Sequence, residues 1–167
     1  MERRDLYDIN RKPTGETIFK GEKIPLNRYI IVVLSFIQNS KGEFLVQKRS
    51  KQKDGKFAST GGHAKTGENS IEAIISEIHE ELGLTVLPSE LNLIYSGRED
   101  TERVFFDIYY LKKDFDIESL TLQKEEVDFV EWDSIEKINE LIANNLFLEN
   151  HVEEFYRMMD ILKINKN

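Results

Sequence analysis

Between Ser70 and Leu82 the hydrophobic residues return every three or four positions. Ile71, Ile74, Ile75, Ile78 and Leu82 fall on one stripe, the period of an amphipathic helix. Asn69 with Glu72 forms a capping-box-like start, and Gly83 stands where a left-handed C-terminal residue is expected. Elsewhere the period shortens. Tyr29 to Gln38 is a β-branched run that predicts a buried strand. Asn39 to Gly42 supplies a turn, and Glu43 to Arg49 alternates, so an antiparallel pair is expected. Further strands are expected at Thr85–Leu87, Leu91–Gly97, Arg103–Leu111 and Val127–Trp132. Asp133 with Glu136 predicts a helix over Ser134–Ala143, and Asn150 with Glu153 a last helix with Val152, Phe155, Met159 and Leu162 inward. Residues 1–28 alternate weakly around Lys12-Pro13-Thr14-Gly15, which reads as the turn of an N-terminal β-hairpin. Strands flanked by three helices predict an α+β fold, an α/β/α sandwich with a mixed β-sheet.

The chain has 167 residues, 40% of them hydrophobic and 32% charged. That predicts one domain over 1–167 with an ordinary core. The net charge of −8 argues against a nucleic-acid polymer as partner, because such binding draws on clustered Lys and Arg. It does not exclude an anionic small molecule, since a bound cation reverses the local sign. There is no cysteine, which excludes disulfides, thiolate catalysis and cysteine-based zinc sites. The N-terminus lacks the apolar core of a signal peptide, and the run Tyr29–Leu34 is far short of the ~20 residues that span a bilayer. No membrane partner and a cytoplasmic location are expected.

The chemistry concentrates beside the isoleucine stripe. Glu77, Glu80 and Glu81 are spaced i, i+3 and i+4, so their carboxylates share one helix face. Like charges so placed repel by ~0.2–0.5 kcal/mol per pair, and here they also crowd the negative end of the helix dipole. Taken alone, Glu-x-x-Glu-Glu is a common solvated face. A hard cation is the usual reason to keep such an arrangement in a site.

The stretch GGHAKTGENSIEAIISEIHEELGL, residues 61–84, resembles the loop–helix–loop signature of the Nudix hydrolases. Gly62, Glu68, Glu77, Ile78, Glu80, Glu81, Gly83 and Leu84 match that pattern, and Ser76 stands where the pattern has Arg. The resemblance implies the Nudix fold, a Mg²⁺ or Mn²⁺ cofactor and cleavage of a small-molecule diphosphate substrate. It implies that Glu77, Glu80 and Glu81 are metal ligands, with the Gly61 carbonyl as a further one. Glu80 or Glu77 would help activate water, and Glu68 would support the ligands from behind. Gly62 and Gly83 would serve backbone geometry. Family members often recruit a further acid from outside the signature. Glu126, ahead of Val127–Trp132, is the preferred candidate for a catalytic acid here and Glu125 the second.

Lys48 and Arg49 end a strand expected to face the metal helix, where related chains contact phosphate. Successive strand residues point to opposite faces, so one of the two is expected to do this, and Arg49 is favoured for its planar donor fork. Gly61-Gly62-His63 and the N-terminal pieces resemble the branch related to isopentenyl diphosphate isomerase. His63 is therefore a candidate metal or phosphate contact. Isomerase chemistry is disfavoured, since that enzyme uses a cysteine and this chain has none.

Ser76 leaves the site short of one positive charge. A substitute cation such as Lys65 would keep it active, and without one it would be slow or would only bind its ligand. The reading favoured is a Mg²⁺-dependent diphosphohydrolase acting on a nucleoside diphosphate derivative or a similar metabolite. The competing reading is a ligand-binding or regulatory module. A homodimer is one arrangement the resemblance allows.

Overall fold

The structure, a computed structural model, describes residues 1–164. Its centre is β3 (Ile30–Gln38), which buries side chains on both faces. β8 (Val104–Lys112) runs parallel to β3 along its whole length, and β7 (Asn92–Glu99) lines the outer edge of β8 antiparallel. On the other side β6 (Thr60–His63) pairs with residues 32–35 of β3. β4 (Phe44–Arg49) lies antiparallel to β9 (Val127–Asp133) and to the short β5 (Phe57–Ala58). The sheet is mixed, as expected.

The two faces of β3 serve different layers. Ile31, Val33 and Ile37 pack with Ile74, Ile78 and Leu82 of α1 (Ser70–Leu82). Leu34 and Phe36 pack with Ile138 and Leu141 of α2 (Ile135–Ala143) and with Phe155, Met158 and Met159 of α3 (Glu149–Leu162). Helices therefore cover both faces, giving the α/β/α sandwich. Ile74, Ile78 and Leu82 are each 0% exposed. At ~1.5–3 kcal/mol for a fully buried aliphatic side chain, these three fix α1 to the sheet despite its repelling carboxylates.

The start of α1 is the expected capping box. Asn69 Oδ1 accepts from the Glu72 N–H at 2.9 Å, and Gly83 closes the helix at φ 68°. The strands expected at Leu91–Gly97, Arg103–Leu111 and Val127–Trp132 are present as β7, β8 and β9, while some other local expectations need correction. The expected antiparallel pairing of β3 with β4 is present but confined to Gln38 opposite Phe44, because β6 and β8 already take the two edges of β3. Thr85–Leu87 is not a strand. Leu84 and Val86 are buried with Thr85 and Leu87 exposed, so the alternation records a chain crossing the core with no neighbouring strand. α2 is capped by Ser134, whose Oγ accepts from the Lys137 N–H at 3.1 Å. Asp133 instead ends β9, opposite Phe44. α3 begins before Asn150, because the Leu148 N–H donates to the Phe57 carbonyl at 2.8 Å and sets the entry of the chain.

The N-terminal hairpin pairs β1 (Arg3–Tyr7) with β2 (Pro13–Phe19). Its turn lies earlier than expected. Asp8 Oδ1 accepts from the Asn10 and Lys12 N–H groups, each at 2.9 Å, and Arg11 takes φ 62°. Pro13 to Gly15 already belong to β2. The hairpin is anchored at several points. Tyr7 and Tyr29 exchange backbone hydrogen bonds at 2.9 Å, and the Thr66 N–H donates to the Arg3 carbonyl at 2.9 Å. Arg11 grips Asp107 of β8 with both Nη groups, at 2.8 and 2.5 Å. No helix among the described residues is long and apolar enough to cross a membrane.

Candidate active site

A cavity of about 580 Å³ opens where β6, β4 and α1 meet the N-terminal hairpin and α3. Its wall carries Gly61, Gly62, His63, Glu77, Glu80, Glu81, Arg49 and Glu126. Tertiary structure thus brings together on one surface the carboxylates of the helix and the acid that sequence placed outside it.

The three helix carboxylates differ sharply in environment. Glu81 is buried at 7% exposure, and its Oε2 has no hydrogen-bond partner among the described residues. Burial first, then the charges of Glu77 and Glu126, pushes its carboxyl up to about 8, with Gln47 and Arg49 pulling the other way. Burial likewise pushes Glu77 up to about 7, opposed by Lys65 and assisted by Glu80, Glu2 and Glu68. Glu80 is exposed, its side chain at 46%, and Lys65 Nζ bonds it at 2.7 Å. The same ammonium is 4.0 Å from Glu77 Oε1. Burial lowers the Lys65 pKa, but the bond to Glu80 and the charges of Glu77, Glu80 and Glu68 raise it further than burial lowers it.

Ser76 is not idle in the place of the signature arginine. Its Oγ donates to Glu68 Oε1 at 2.7 Å, while Glu68 Oε2 accepts from the Lys65 N–H at 2.9 Å. Glu68 thereby ties the helix to the residue that supplies the local cation.

The glycines matter for space. Gly62 has no positive φ, so its backbone role is close approach and not a left-handed turn. A Cβ on it would lie 2.4–2.7 Å from the Glu77 carboxylate. A Cβ on Gly61 would lie 2.4 Å from the Val33 carbonyl. Only bare backbone lets β6 sit between β3 and the helix. Gly83 does combine both demands, with φ 68° and the Thr121 backbone 2.9 Å from where its Cβ would be.

The donor set fits a hard divalent cation. It is all oxygen, it includes an orphaned buried carboxylate oxygen, and the burial of Glu77 and Glu81 is a cost that a cation would offset. Among the described residues no three acidic or histidine side chains are close enough to chelate one ion as they stand. Glu80 is bonded to Lys65 instead.

The flanking candidates separate cleanly. A register shift in the β4–β9 pairing falls between Lys48 and Arg49, and such a bulge re-aims a side chain. Arg49 lines the cavity, with Nε 2.8 Å from Asp54. Lys48 turns away, bonding the Gly55 carbonyl and lying 4.8 Å over the Phe57 ring. Glu126 is 2.9 Å from Lys53, also on the cavity wall. The Glu125 side chain is exposed, and its backbone carbonyl accepts from Ser50. His63 is pushed down to about 4 by burial and then by Arg4, with Lys20 and Lys53 adding to it and Glu2 opposing. Neutral imidazole follows at ordinary pH.

Several wall residues had no role in the sequence reading: Arg4, Lys20, Gln47, Lys53 and His151. Arg4 had a signal. In an alternating strand it shares a face with Leu6, which is buried at 2%, a spacing that aims a charge inward.

Residues 28–155 match the model of the NUDIX domain. The chain is 37% identical over 152 residues to an uncharacterized Nudix hydrolase of Listeria innocua, covering 89% of each chain. In structure it resembles DR0079 of Deinococcus radiodurans, with a TM-score of 0.75 at 23% identity, covering 94% of this chain and 98% of that one. It also resembles a MutT protein of Methanosarcina mazei, with a TM-score of 0.62 at 26% identity over 87% of this chain and all of that one.

Proposed function

The chain belongs to the Nudix hydrolase family, and from that premise we propose that it is a Mg²⁺- or Mn²⁺-dependent diphosphohydrolase of a nucleoside diphosphate derivative or similar small metabolite. The observation that carries this reading is the gathering of Glu77, Glu80, Glu81 and Glu126 on one wall of a cavity sized for a small molecule. Glu77, Glu80 and Glu81 would hold the metal once Glu80 turns from Lys65, with the Gly61 carbonyl as a further ligand. A hard cation held there would neutralise charge on the phosphoryl oxygens and lower the pKa of an attacking water.

The protein's own groups do the rest. Arg49 offers its Nη donors to non-bridging phosphate oxygens. Glu126 accepts the proton as the water oxygen bonds to one phosphorus, and the bridging P–O bond breaks toward the second phosphoryl group, which leaves as its phosphate. Lys53, 2.9 Å from Glu126, orients that carboxylate. The binding-only alternative drew on Ser76, and the placement of Lys65 beside Glu80 and Glu77 favours the enzyme instead.

The test is a panel of diphosphate compounds with Mg²⁺ or Mn²⁺ in ¹⁸O-labelled water, with products read by mass. Metal-dependent release of one labelled phosphate product is expected. Metal-dependent ligand binding without turnover on any compound would establish the binding module in its place.

A further inference from the structure

Arg4 is a buried charge with most of its donors unspent. It is 8% exposed. Among the described residues its one hydrogen bond runs from Nε to Glu2 Oε2 at 3.0 Å. A guanidinium carries five N–H donors in a planar fork, and its two Nη groups have no hydrogen-bond partner among the described residues. Those groups are not enclosed in the fold; with Arg4 on the cavity wall they are open to the cavity, where a ligand can take them.

Its surroundings say what that is. Arg4 lines the same cavity as Glu77, Glu80, Glu81 and Gly62, and Lys20 from the far end of the hairpin lines it too. The Lys20 N–H donates to the Glu2 carbonyl at 2.9 Å, which ties both ends of the hairpin together at the cavity wall. The strand holding Arg4 is fixed on either side of it. The Arg3 carbonyl accepts from the Thr66 N–H at 2.9 Å, and Asp5 Oδ2 accepts from the Gly67 N–H at 3.0 Å. Residues 66 and 67 belong to the loop that leads into α1, so Arg4 is held in register with the glutamate helix itself. The segment matching the family model begins at residue 28, so Arg4 lies in the hairpin ahead of it.

We propose that Arg4 is an anion-binding residue of the cavity, its Nη groups taking non-bridging oxygens of the substrate's diphosphate opposite the glutamate helix. The hairpin then completes the site as one of its walls. This rests on the reading of the cavity as a diphosphate site. Planar bidentate recognition of phosphate is what an arginine does better than a lysine, and a donor already desolvated and anchored loses little freedom on binding.

The experiment is calorimetric titration of the full chain with methylenediphosphonate, a diphosphate analogue that cannot be hydrolysed, in the presence of Mg²⁺. Arg4→Met is expected to weaken the analogue at least tenfold, with Mg²⁺ affinity in its absence and thermal stability both matching the parent. Equal analogue binding by parent and Arg4→Met would overturn the proposal while leaving the diphosphate site standing. Should Arg4→Met not fold, Arg4→Lys decides, since it keeps the charge and loses the fork. It is expected to raise KM severalfold with kcat unchanged, or to weaken the analogue severalfold, and parental behaviour would overturn the proposal. Failure of the parent itself to bind the analogue with Mg²⁺ would overturn both the diphosphate reading and this one.

Discussion

Ser76 Oγ donates to Glu68 Oε1 at 2.7 Å. The partner on the other oxygen of Glu68 is the Lys65 backbone, and the Lys65 ammonium then reaches Glu80 at 2.7 Å. The positive charge that the family pattern places within the helix is supplied here from the loop before it.

Lys65→Met should therefore unsettle the carboxylate cluster. The Lys65–Glu80 pair is partly exposed, at 27% and 46%, so it contributes roughly 0.5–1 kcal/mol. In a chain of this length that corresponds to a Tm lower by about 2 °C. The deficit should shrink with saturating Mg²⁺, which takes over the neutralisation. Melting curves at pH 8 with and without Mg²⁺ check this, and a deficit unchanged by metal would show that Lys65 acts elsewhere.

Ser76→Arg should do little alone, because the cation is already in place. In the Lys65→Met background it should recover most of the lost activity. Such coupling between two substitutions is what a shared charge role produces. Additive effects in kcat/KM across the four proteins would refute it.

Glu81 supplies the pH dependence. Its carboxyl is held up to about 8 by burial, against an ordinary 4.5. The folded protein keeps this proton longer than the unfolded chain does. Stability from this group is therefore full below about 4.5 and lost as pH rises toward about 8. Glu81→Gln should flatten that decline in metal-free melts and raise Tm by a few degrees at pH 8.5, while weakening Mg²⁺ binding. Mg²⁺ binding to the parent at pH 7 should release protons, seen as a buffer-dependent heat. Identical pH slopes for parent and variant would sink the assignment.

Gly61→Ala and Gly62→Ala should fail differently. At Gly61 the new methyl meets the backbone of Val33 at 2.4 Å, which cannot yield without moving β3, so the fold should be strongly destabilised. At Gly62 it meets the end of the Glu77 side chain, which can rotate away. Gly62→Ala should fold but lose ~100-fold in kcat, the scale expected for a 1 Å displacement of a catalytic group. Thermal melts and steady-state kinetics on both variants separate the two.

Arg49→Ala should lower kcat/KM by ~10–100-fold, mostly through KM, in line with loss of a charge-assisted phosphate contact worth roughly 1.5–3 kcal/mol. Lys48→Ala should leave kinetics within twofold, since its ammonium lies over Phe57 on the other side of β4. Equal effects would mean that the bulge between them does not separate their faces.

What the sequence determined by itself was local: the helix of Ser70–Leu82, its Asn69 cap, its Gly83 stop, and three carboxylates on one face. Each depends on residues within one or two turns of each other, so spacing alone expresses it. The sandwich was also legible, because strands buried on both faces require helices on both sides. Decisions between distant segments were not. Adjacent strands β3 and β4 predicted a pair, but the competition among β6, β8 and β9 for their edges is settled by the whole sheet. Thr85–Leu87 alternates like a strand and lacks only a neighbour. The chain offers Lys65 as a candidate cation but does not spell out that it reaches Glu80, that Gly62 is bare so that Glu77 can approach, or that Arg4 lines the cavity. These are contacts across 15 to 70 or more residues of sequence, created when hydrophobic burial brings the hairpin, the loop and the helix together.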